Sequence, residues 1–143
     1  MMYLPVLLLS LVWLPVTSPA DLEHRIALAV AVTADPGTTP HEARILMRIP
    51  RWEANYRPEV SDCRITGDGG RSVGSWQAHD RSPEVRERIC SDLAYGALVA
   101  RADVRRSYAM CAHLPEPERL AGYTRGKCDN DEARRLSRTR WWP

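Results

Sequence analysis

The chain has 143 residues, enough for one domain of ordinary size, and its 44% hydrophobic content is that of a globular protein, which excludes wholesale disorder. The formal net charge of +2 at pH 7 is too small for the electrostatic footprint of a dedicated nucleic-acid binder.

From Tyr3 to Val16 the sequence is nearly all apolar and uncharged. That run falls short of the ~20 apolar residues a bilayer-spanning helix needs. Small residues at Ser18 and Ala20 come after it and satisfy the spacing read by signal peptidases. Residues 1–20 therefore read as a signal peptide cut after Ala20, although no Lys or Arg precedes the apolar run. The remaining 21–143 would form one secreted or periplasmic domain, touching a membrane only through its N-terminal segment. An uncleaved anchor is the alternative.

Helical signals dominate the rest of the chain. Asp21 can cap a helix to about Val32, with Leu22, Ile26, Ala29 and Val30 on one stripe. Asp35-Pro36-Gly37 breaks it. Thr39-Pro40-His41-Glu42 starts the next helix, with Thr39 as cap, Pro40 at the first helical position and Glu42 closing a capping box. Ile45, Ile49, Trp52 and Tyr56 recur at helical spacing along it, and Pro50 should kink it. From Arg57 to His79, Gly67, Gly69, Gly70 and Gly74 argue for a turn-rich loop or a short hairpin. Ser82-Pro83-Glu84 is another capped start, and a longer helix runs from Ser91 to about Ala112. Pro115 and Pro117 open a short helix that Gly126 ends, and a last helix covers about Asp131 to Arg140. The fold class is mainly α, a helical domain with one glycine-rich loop or small hairpin inserted.

Four cysteines, Cys63, Cys90, Cys111 and Cys128, all lie beyond the export segment. An even count in an exported chain points to disulfides. Pairing sequence neighbours gives Cys63–Cys90 and Cys111–Cys128, the second bracketing one short helix. No CxxC or His/Cys group has zinc spacing, so neither metal nor cofactor is expected. The basic tail, Arg134, Arg135, Arg138 and Arg140, is either a solvated helix face or a contact for an anionic polymer.

Glu53 is the candidate catalytic group. It ends an apolar helix, comes directly after Trp52 and precedes the glycine-rich loop. A carboxyl partly desolvated beside an indole is kept protonated and can give up a proton. Glu53-Ala54-Asn55-Tyr56-Arg57-Pro58 resembles the E-S-x-F-x-P motif of soluble lytic transglycosylases and goose-type lysozymes. Gly74-Ser75-Trp76-Gln77 is similar to their G-L-M-Q segment, and Leu120-Ala121-Gly122-Tyr123-Thr124-Arg125-Gly126 to their L-A-x-Y-N-x-G motif. The three stand in family order. Departures are Ala54 for serine, Ser75 and Trp76 for leucine and methionine, Thr124 for asparagine, and Pro50 one turn before the acid.

The resemblance implies a lysozyme-like α+β fold, a monomer, and peptidoglycan strands as the substrate. It assigns Glu53 as single general acid and base, Gly74, Ser75, Trp76 and Gln77 to the sugar groove, and Tyr123 to orienting Glu53. The stretch Cys63 to Gln77 also resembles the hairpin of chicken-type lysozymes, with Ser72 where those carry a second carboxylate and Asp62 and Asp68 as nearby acids. The resemblance thus points to a one-acid transglycosylase, with a hydrolytic muramidase or a non-catalytic peptidoglycan-binding module as alternatives. His79 reads as a loop histidine, and His24, His41 and His113 show no Ser/His/Asp pattern along the chain.

Overall fold

The computed structural model describes residues 3–143, so Met1 and Met2 of the expected export segment lie outside it. Among the described residues the chain is mainly helical, with one two-stranded antiparallel sheet. It divides into two units, Met1–Ala100 and Arg101–Pro143.

In the first unit α1 (Tyr3–Trp13) packs against α2 (Pro19–Thr33) and α3 (Pro40–Glu53). Ser18, not Asp21, caps α2: its hydroxyl accepts the Asp21 amide at 3.1 Å, so the helix starts one turn earlier than the sequence suggested. The stripe expected to face inward is also displaced. Leu22, Ile26 and Val30 are exposed, and the buried face carries Arg25, Leu28, Ala29, Ala31 and Val32. Arg25 is fully buried. It donates to both Asp21 carboxylate oxygens at 2.9 Å and to the carbonyls of Ser10 and Pro15 at 2.9 Å and of Leu14. These bonds fasten the end of α1 to α2. Burial pushes the Asp21 carboxyl up, but the bonds from Arg25 and the Thr17 amide outweigh it and hold that group below its usual range.

The capping box at α3 forms in full: Glu42 N–H donates to Thr39 Oγ1 at 3.2 Å and Thr39 N–H to Glu42 Oε2 at 2.8 Å. Ala43, Ile45, Leu46, Met47 and Ile49 go to the core. Full burial of an aliphatic side chain such as leucine or isoleucine contributes ~1.5–3 kcal/mol. The helix runs through Pro50 and ends at Glu53, with the Pro50 carbonyl accepting from Ala54 at 3.0 Å and Tyr56 at 3.2 Å.

A one-turn helix that the sequence did not announce, α4 (Pro58–Ser61), comes next. A 3-10 turn at Asp68–Gly70 leads into β1 (Ser72–Val73), paired with β2 (Ala78–His79) in the register Ser72 to His79 and Val73 to Ala78. The expected hairpin is thus present in its shortest form. Gly74 has to be glycine at the turn: its φ is +76° and a Cβ there would sit 2.7 Å from Ile89 Cγ2. Capped by Ser82, α5 (Pro83–Ser91) is next, then α6 (Leu93–Met110), which carries the chain into the second unit. The Cys63–Cys90 disulfide lies in the first unit.

The second unit holds a 3-10 turn at Glu116–Glu118, then α7 (Ala121–Arg125), stopped by Gly126 at φ +67°, then α8 (Asp131–Leu136), capped by Asn130. A π turn, Ser137–Trp141, extends α8. Cys111–Cys128 is the second disulfide, packed with Leu114, Ala121 and Ala133. Both bonds join sequence neighbours as expected, and both fit an oxidising or extracellular compartment. The basic tail is not a free cationic strip. Arg134 and Arg138 both pair with the buried Glu118, and Arg135 pairs with Glu132. No helix of the described residues is long and apolar enough to cross a membrane.

Candidate functional site

The last turn of α3 brings Arg51, Trp52 and Glu53 to the surface. Trp52 is 41% exposed and Glu53 is exposed as well. Arg51 organises this edge: its guanidinium carbon lies 5.0 Å from the Trp52 ring centroid, Nη1 donates to Asn55 Oδ1 at 2.8 Å, and Nε donates to the Trp13 carbonyl at 3.2 Å. An indole face, an amide and a carboxylate therefore share one short stretch of chain. The desolvation expected of Glu53 is not what the fold provides, because no layer of side chains buries it.

The aromatic of the first motif is an anchor. Asn55 and Tyr56 take left-handed φ values of 47° and 56°, reversing the chain directly after the helix. That reversal carries Tyr56 into the core, where its hydroxyl donates to the Met47 carbonyl at 3.1 Å and its ring lies 4.7 Å beneath the Arg25 guanidinium. Burial pushes the phenol far above its ordinary range. Tyr56 is thus buried as its apolar spacing suggested, by way of a backbone turn and not a continuing helix.

The second motif is mostly interior. Gly74, Ser75 and Trp76 are buried, so Trp76 offers no face to solvent for stacking on a sugar. Its indole N–H donates to the Leu46 carbonyl at 2.7 Å. The reason is legible in α3 itself. In an unbroken helix the Leu46 carbonyl would accept from the amide four residues on, and that residue is Pro50, which has none. Trp76 supplies the missing donor, and in doing so fixes the Gly74–Gln77 turn to the helix that ends in Glu53. Gln77, at φ 49°, donates its side-chain amide to the Gly74 carbonyl at 2.9 Å, a bond within the turn.

Tyr123 of the third motif lies in the second unit, on α7, half-buried and edge-on to Trp141 with centroids 6.3 Å apart. The non-family residue beside it, Thr124, accepts the Trp141 indole N–H at 2.9 Å. Asp62 accepts the Arg64 backbone amide at 3.2 Å and its Nε at 2.8 Å, so it ties a turn.

Two side-chain groups carry no signature in the sequence. Across the hairpin, Ser72 donates to Asp68 at 2.7 Å and lies 2.8 Å from His79 Nδ1, while His79 Nε2 lies 3.2 Å from Asp80. Arg71 grips Asp80 at 3.0 and 2.7 Å and holds that carboxyl below its usual range. Deeper in the first unit, His24 Nε2 meets Ser61 Oγ at 2.9 Å, and Ser61 meets Ser75. His24 and Ser61 are 37 positions apart, a pairing no spacing rule detects. Among the described residues, no group of three or more His, Cys, Asp or Glu side chains is gathered as a metal site would require. No family model, curated protein or solved structure matches this chain.

Proposed function

We propose that this chain is an exported peptidoglycan-cleaving enzyme, a lytic transglycosylase in which Glu53 acts alone as general acid and then base. One observation carries the reading: the Trp76 to Leu46 bond ties the second motif to the same helix that presents Glu53 and Trp52 at its end. Glu53 would protonate the glycosidic oxygen as the bond to the anomeric carbon breaks. Its carboxylate would then take the proton from the 6-hydroxyl of the same sugar as that oxygen attacks the anomeric carbon, closing a 1,6-anhydro ring. A sugar lying on Trp52 would exclude water from the neighbouring carboxyl, so desolvation would come from the substrate. Water attacking in place of the 6-hydroxyl would make the protein a muramidase.

A non-catalytic peptidoglycan-binding module is favoured by a different observation: Trp76 and Ser75 are buried in packing and Glu53 is exposed. Digestion of isolated peptidoglycan separates these readings by mass spectrometry. The parent protein is expected to release muropeptides with anhydro ends. Glu53→Gln is expected to keep the helical fold by circular dichroism and lower release by ~10²–10⁴-fold, the usual worth of a general acid. Retention of the parent on insoluble peptidoglycan with no release at all would leave the binding module. Equal release by parent and variant would remove Glu53 from the chemistry.

A further inference from the structure

His24, Ser61 and Ser75 link three segments that are distant in sequence: α2, the end of α4, and the turn of the hairpin. Ser61 and Ser75 are buried and His24 is half-buried. We propose that these three side chains form a pH-sensitive latch, which holds the Gly74–Gln77 turn to α2 and α4 at neutral pH and releases it on acidification. The inference is independent of the glycosidase reading.

The chemistry is that of a hydroxyl chain ending on an imidazole. A neutral ring can accept from Ser61 at Nε2 or donate to it, so the two serines can settle in either direction. An imidazolium can only donate. Protonation therefore fixes Ser61 as acceptor from the ring and places a positive charge in a region the fold has largely cut off from water.

Three carboxylates act on the ring from the elements around it: Asp21 on its own helix, Glu59 on α4, and Asp62 just beyond α4. Desolvation is the largest influence and lowers its proton affinity, and the three carboxylates raise it without restoring it, so the ring titrates below its ordinary value of 6.5. The sign is set by that depression. Above the ordinary value both folded and unfolded chains hold His24 neutral, and the latch contributes in full. As pH falls, the unfolded chain takes up the proton first. The contribution then shrinks until the folded-state midpoint is passed.

Two measurements on the full chain decide the matter: an NMR titration of the His24 ring, and amide hydrogen exchange of Gly74–Gln77, corrected for intrinsic rates, at one pH above and one pH below the midpoint that the titration finds. The parent should titrate below 6.5 and lose protection of the turn at the lower pH. His24→Gln, which keeps a polar group but cannot titrate, should show the same protection at both. Ser75→Ala, a smaller change, should leave the ring titrating while the turn is weakly protected at both pH values. A His24 midpoint at or above 6.5, or an equal loss of protection in parent and His24→Gln, overturns the latch. If His24→Gln does not fold, a pH-dependent turn in Ser75→Ala overturns it equally.

Discussion

Arg25 shows how far one side chain can depart from the rule that reads a helix from its apolar spacing. Both faces of α2 are apolar over most of its length, so periodicity finds a stripe without fixing which stripe goes inside. Packing decided in favour of the face holding an arginine, because that guanidinium bonds the Leu14 and Pro15 carbonyls just past the end of α1 and adds a second donor to the Ser10 carbonyl, which already accepts from the Leu14 amide. Removing one partner of a buried charge network is more costly than the network is worth, since the others stay desolvated. Arg25→Met should therefore lower stability by ~3–5 kcal/mol, measured by urea unfolding of the full chain. A loss below ~1 kcal/mol would mean that water reaches the orphaned Asp21 and carbonyls. The candidate site divides in the same way. The place of Glu53 at a helix end and the burial of Tyr56 were legible from helix punctuation and apolar spacing, whereas the exposure of Glu53, the burial of Trp76 and the His24–Ser61 contact depend on packing that sequence distance hides.

Helix starts were the most readable elements. Thr39 and Ser82 cap as their sequence context demands, because capping is chemistry confined to four consecutive residues. One-turn α4 was not readable, since four residues carry no period. Pro50 and Trp76 looked like separate departures from a family pattern and are one device: a proline that leaves a helix carbonyl open, and an indole that closes it. A double-mutant cycle tests this. Trp76→Phe alone removes the N–H and should cost ~1–3 kcal/mol for the unsatisfied Leu46 carbonyl. In a Pro50→Ala background the backbone can bond that carbonyl itself, so the same change should cost clearly less, giving a coupling energy of at least ~0.5 kcal/mol. Additive losses would show that the two residues do not share the carbonyl.

For the whole chain, the mainly α class and both disulfide pairs were accessible beforehand, since they rest on composition, helix punctuation and the proximity of sequence neighbours. Division into two units was not, because α6 crosses the boundary without a break in its pattern. Each unit carries one disulfide, spanning 27 residues in the first and 17 in the second. On the loop-entropy account, replacing either pair by serines should cost ~3 kcal/mol, with Cys63–Cys90 the costlier by about 0.4 kcal/mol. Denaturant titration of the two double-serine proteins measures both figures, and equal stability with and without either bond would contradict the account.

The bond between Ala20 and Asp21 lies in the opening turn of α2, between the cap and the buried arginine. A processing peptidase grips its substrate as a stretched strand, so a coiled, hydrogen-bonded backbone is a poor one. Were the chain exported and cut there, as its sequence predicts, scission would have to precede completion of this tertiary structure. A chain cut at that bond would lose the carbonyls of Ser10, Leu14 and Pro15, and the guanidinium of Arg25 would keep only Asp21 among these partners.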